Sequence, residues 1–161
     1  MSVNFTPGQL RGAAGISQET YRHWKKALRP LCRESGHSPS FTVGDLLATA
    51  IVRTMVIDFG VRVSALTGLA SDLFQGCNEK SWPALERSLL FVDLAGEKVR
   101  LAPESTTHTF DKAMIVIPLR VLIEGLRRSL LAGDNDSGQE TLRFPPVAQP
   151  TTDERRKAGQ S

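Results

Sequence analysis

The chain has 161 residues, 40% of them hydrophobic and 23% charged, which suits one globular domain or a small domain with an appendage. No apolar run approaches the ~18 residues of a membrane span, so no membrane partner is expected. A net charge of +3 and a pI near 9.1 permit nucleic-acid binding without requiring it.

The distribution of charge is more informative than its sum. Up to Arg33 the basic residues are Arg11, Arg22, Lys25, Lys26, Arg29 and Arg33, and Glu19 is the single acid. Thr6 is placed to cap a helix that Pro7 opens, where a missing N–H carries no penalty. That helix runs to Ala14, with Leu10 and Ala14 on one face, and Gly15 ends it. Ser17 then caps a second helix, Gln18 to Leu28. Two short helices joined by a short turn containing glycine form a helix-turn-helix. In the second helix Tyr21, Trp24 and Leu28 recur at helical spacing as an inward stripe, joined by Ile16. The other face carries Gln18, Arg22, Lys25, Lys26 and Arg29. Pro30 stops the helix.

Residues 34–39 have turn chemistry, and Leu31-Cys32-Arg33 and Ser40-Phe41 flank them as arms of a small hairpin, a wing. Thr42 caps a third helix through Asp58. Gly60 separates it from a fourth, Arg62 to Phe74. The texture changes at residues 76–80, an expected domain boundary. Ser88–Leu94, Lys98–Leu101 and Lys112–Ile117 read as three strands, and Pro118 opens a helix through Leu131. The apolar content of that helix suits either a dimer interface or the cover of its own sheet. From Gly133 the composition is polar and Pro-rich, as expected of a disordered tail.

The fold class is therefore mainly α. An N-terminal winged helix-turn-helix domain occupies residues 1–76. A small α+β appendage of about three strands and one helix follows at 77–132, and a tail at 133–161.

Catalytic chemistry is not indicated. His23, His37 and His108 stand in no triad or metal-ligand spacing, and no Gly-rich phosphate loop follows a strand. Glu104 and Asp111 flank His108 only within a Ser/Thr-rich stretch. Cys32 and Cys77 form no CxxC, so neither a zinc site nor another cofactor is expected. Two isolated thiols without a signal peptide fit a reducing compartment. The expected location is a bacterial cytoplasm, at the nucleoid.

The order and spacing of these segments resemble the DNA-binding domain of the MerR family of bacterial regulators. Phe5-Thr6-Pro7-Gly8-Gln9-Leu10 matches the family's aromatic-Thr opening. Ala14-Gly15-Ile16-Ser17 matches its Gly-Val-Ser turn, and Tyr21-Arg22-His23-Trp24 its Leu-Arg-aromatic-aromatic helix. Phe41-Thr42-Val43-Gly44-Asp45-Leu46 resembles the start of its third helix, and Gly60-Val61-Arg62-Val63-Ser64-Ala65-Leu66 that of its fourth. Lys25 stands where the family has Glu, Pro39 and Ser40 where its wing has Arg before the aromatic, and no heptad run follows Gln75. The resemblance covers less than half the chain.

It implies sequence-specific binding to double-stranded DNA and regulation of transcription, with the second helix in the major groove. Gln18 and Arg22 are the base-reading candidates, since glutamine pairs bidentately with adenine and arginine with guanine. Thr20 and His23 reach bases or phosphates. Ser17 contacts a phosphate besides capping its helix, and Arg11, Lys25 and Lys26 bind phosphates. Arg33, Ser35, His37 and Ser40 on the wing reach the neighbouring backbone or minor groove. A homodimer held through residues 88–131 would double the reading length. The competing expectations are an architectural DNA-binding protein, excisionase-like or of the phage-packaging kind, and a protein-binding adaptor.

Overall fold

The computed structural model describes residues 3–33 and 38–133. The expected tail and the tip of the expected wing lie outside them. Six α-helices occur in this span: α1 (Pro7–Ala14), α2 (Gln18–Ala27), α3 (Val43–Arg53), α4 (Ala70–Glu79), α5 (Trp82–Glu86) and α6 (Leu119–Gly133). The strands β1 (Ser88–Asp93), β2 (Lys98–Pro103) and β3 (Ile115–Pro118) precede α6. The chain is thus mainly helical, with one small antiparallel sheet and a C-terminal helix.

The first two helices begin and end as their sequences dictate. Thr6 accepts a hydrogen bond from Gln9 N at 3.2 Å, and Gln9 Oε1 accepts one from Thr6 N at 2.9 Å, a closed capping box. Gly15 ends α1 in the left-handed conformation, φ 67°. The N–H of Ile16 donates back to Arg11 O and that of Gly15 to Gly12 O, the paired bonds of a Schellman turn. Leu10, Ala14, Tyr21, Trp24 and Leu28 are buried together.

The arms expected to form a hairpin do not pair with each other. Arg29–Leu31 coils into a 3-10 turn, because Pro30 presets a helical φ and Leu31 is fully buried. Phe41 pairs instead with Phe5: Phe5 N donates to Phe41 O at 2.7 Å and Phe41 N to Phe5 O at 3.1 Å.

The third helix has the expected extent but widens at its end. Over Thr54–Asp58 the bonds run five residues back, as from Phe59 N to Thr54 O. The fourth expected helix is divided. Val63–Leu66 is a 3-10 turn, and α4 starts only at Ala70. Gly68 lies between them with the Glu97 carboxylate against it, so close that a Cβ there would fall 2.5 Å from the Glu97 carboxyl carbon. The helix α4 then continues through the expected boundary at 76–79 and buries Cys77 beside Leu73 and Phe74. The short helix α5, unforeseen from the sequence, buries Leu85.

In the sheet β1 is central, between β2 and β3, with Leu90 opposite both Leu101 and Ile117. Leu90 and Val92 join the main core, while Phe91 lies under the rings of His108 and Phe110. The helix α6 buries Leu119, Ile123 and Leu126 and packs on α1, α3 and α5 as well as on β1. One core thus runs from Phe5 to Leu126. Most of the apolar face that the sequence offers for dimerisation is buried within the same chain. Among the described residues no helix is long and apolar enough to cross a membrane.

Two consequences of this packing are measurable. A Cβ on Gly44 would lie 2.6 Å from Asn78 Oδ1 and 2.7 Å from the Cys77 carbonyl oxygen. Gly44→Ala therefore separates α3 from α4, with an expected loss of about 1–3 kcal/mol in urea unfolding. Burial, helped by the Asp45 charge, pushes the Cys77 thiol up to about 12, whereas Cys32 is exposed. In native protein at pH 8 Ellman's reagent should titrate Cys32 rapidly and Cys77 only after denaturation.

Candidate nucleic-acid interface

The helix α2 is amphipathic, with a buried aromatic face and an exposed polar one. Tyr21 and Trp24 are buried, while Gln18, Glu19, Arg22, His23 and Lys26 are exposed. Gln18, Arg22, His23 and Lys26 have no side-chain hydrogen bond or ion pair within the described residues, so their polar groups face outward unspent. Ser17 caps the helix, accepting from Thr20 N at 3.0 Å and donating to Thr20 Oγ1 at 2.9 Å. The two hydroxyls form a unit at the N-terminus, where the helix dipole favours an anion. Lys25 and Lys26 sit in the last turn, where the same dipole favours cations.

The remaining predicted residues divide. Lys25 is half-buried, its Nζ 5.6 Å from the centre of the Tyr21 ring. Arg11 is half-buried and close enough to Tyr21 for its charge to act on the phenol. Burial raises the Tyr21 pKa above its ordinary value, and the charges of Arg11 and Arg33 oppose that rise. Ser35 and His37 lie outside the described residues. Ser40 is half-buried, its N–H donating to Phe5 O at 3.0 Å.

Arg33, expected at the DNA backbone, is engaged within the fold. Its guanidinium lies 3.0 Å from Asp45 Oδ2, donates to Pro30 O at 3.3 Å and to Ser40 O, and sits 4.8 Å above the Phe41 ring. These contacts close the base of the segment that joins residues 33 and 38. Asp45 has only 1% of its side chain exposed. Its carboxylate also accepts from Thr42 N at 2.8 Å and from Asn78 Nδ2 at 3.0 Å. A buried carboxylate needs such partners.

Comparison with protein families, curated proteins and solved structures finds no match. The site therefore stands on its own geometry. Among the described residues no group of three or more His, Cys, Asp or Glu side chains is placed to hold a metal ion.

The part of this arrangement missed from the sequence is the Arg33–Asp45–Asn78 cluster. The Thr42-x-x-Asp45 spacing signals a capping box and hence places Asp45 at a helix start. Nothing local connects it to Asn78, which is 33 positions away.

Removing Arg33 leaves a buried carboxylate short of its counter-charge. Because Arg33 is one-third exposed, Arg33→Ala should lower stability by about 2–3 kcal/mol rather than the full penalty of a deeply buried pair. Arg33→Ala with Asp45→Asn should recover part of the loss in thermal unfolding. An additive double variant would show that the two side chains are not coupled.

Proposed function

We propose that this chain is a sequence-specific double-stranded DNA-binding regulator of transcription, a relative of the MerR family with a winged helix-turn-helix. In this reading α2 lies in the major groove. The observation that carries it is the outward face of α2, where exposed Gln18, Arg22, His23 and Lys26 lie on a helix capped, turned and anchored in the manner of a recognition helix. Gln18 and Arg22 read base edges, with Thr20 and His23 nearby. Ser17 and Lys26 hold phosphates, supported by Arg11 and Lys25. Arg33 acts by holding Ser40 and Phe41 to the start of α3.

A single α2 reads only a few base pairs, so two copies of the chain bind adjacent half-sites. They meet through the appendage, whose exposed apolar side chains include Val116 and Val121. The DNA-bound chain resides at the nucleoid of a bacterial cytoplasm.

The test starts by selecting bound duplexes from a random pool. On the selected site Arg22→Ala should weaken binding by about 1–3 kcal/mol and relax preference at one base pair. Lys26→Ala should weaken all sequences alike and flatten the salt dependence by about one counterion. Failure to enrich any sequence, or retention of full affinity by both variants, would refute the reading.

A further inference from the structure

A cleft of about 570 Å³ opens among the C-terminal end of α4, α5, the end of β2 and the start of α6, a volume typical of small-molecule sites. Lys80, Arg87 and Arg120 line it from three different parts of the chain, and Glu104 is the carboxylate among its lining residues. Backbone bonds fix this geometry: Glu104 N donates to Arg87 O at 2.9 Å. Arg87 Nε donates to Pro83 O at 3.3 Å, leaving its terminal nitrogens uncommitted among the described residues. Arg120 Nη2 lies 3.0 Å from Glu104 Oε2, but their side chains are 53% and 31% exposed, so water weakens the pair. Lys80 is exposed and has no hydrogen bond or ion pair within the described residues. The neighbouring Glu86 carries a charge that also acts on Arg120 and Arg87, but its hydrogen bonds go elsewhere. It is held in a two-bond pair with Arg127, at 2.8 and 2.9 Å.

We propose that this cleft binds a small phosphorylated molecule, a phosphomonoester or diphosphate, and that Lys80, Arg87 and Arg120 hold its phosphate. Three cations lining one cleft match the charge of a phosphate dianion better than the single charge of a carboxylate. Ala84 and Ala102 supply an apolar wall for the rest of the molecule. Glu104 acts as the occupant of Arg120 that the incoming phosphate displaces. The proposal rests on this cleft alone and not on DNA binding by α2.

The test follows the amide resonances of the full chain during titration with inorganic pyrophosphate and with AMP. Adenosine and a short DNA duplex serve as comparisons. Pyrophosphate and AMP should shift residues 84–88, 102, 104, 105 and 120, and adenosine should not. Arg87→Gln and Arg120→Gln should each weaken pyrophosphate binding about tenfold or more, in proteins whose α1–α3 resonances are unchanged. Glu104→Gln should tighten it severalfold, a gain that loss of folding cannot produce. The proposal is overturned if neither phosphate probe shifts these residues at millimolar concentration, or if Glu104→Gln leaves affinity unchanged. It is also overturned if the duplex shifts them while pyrophosphate and AMP do not, since the cations would then serve the DNA backbone.

Discussion

Asp45 has its carboxylate out of water, and three groups converge on it: the nearby Thr42 N–H and, from farther along the chain, the Arg33 guanidinium and the Asn78 amide. One charge thereby performs three structural tasks. It closes the capping box of α3, holds the base of the segment joining residues 33 and 38, and fixes α4 against α3. The Thr42 hydroxyl, bonded to Asn78 Oδ1, and the Asn78 bond to Phe74 O complete the network. Gly44, which lets the α4 backbone come within reach, is part of the same device. The core packs around this arrangement. Leu46, Leu47 and Ile51 on α3 are fully buried only if that helix keeps its pitch and position relative to α4.

The pair α1 and α2 depends on the same frame by a different route. The turn between α1 and α2 is a backbone device, closed by the Gly15 and Ile16 N–H groups. Tyr21, Trp24 and Leu28 then dock α2 on the shared core. The base of the expected wing is held to α1's approach by the Phe5–Phe41 bridge and to α3 by Arg33. The helix α1, which leads into α2, packs on α3, whose position Asp45 secures.

Local chemistry was legible from the sequence and long-range chemistry was not. Thr6, Pro7, Gly15 and Ser17 mark the limits of α1 and the start of α2 because caps and turns act within a few residues. The three strands and α6 were legible from apolar patterning, with boundaries shifted by a few residues. The pairing of Phe41 with Phe5 rather than with Leu31-Cys32-Arg33 depends on which partner the core brings alongside, and no spacing rule encodes that. The close approach of Glu97 to Gly68 comes from a turn nearly thirty positions away. The cleft of Lys80, Arg87 and Arg120 had no sequence signature, since its cations are scattered among unrelated segments. Arg33 was recognised as basic and near a wing. Its engagement by Asp45 became visible only when α3 was placed.

The uncommitted face of α2 has an evolutionary consequence. Gln18, Arg22, His23 and Lys26 are exposed and take no part in the hydrogen bonds or ion pairs that hold the described fold together. The structural demands on α2 fall on Ser17, Tyr21 and Trp24 instead. Substitutions at the four outward positions can accumulate with little penalty to folding, so drift or selection can alter that surface while the scaffold persists. The same separation makes this short helix a natural place to graft a new specificity.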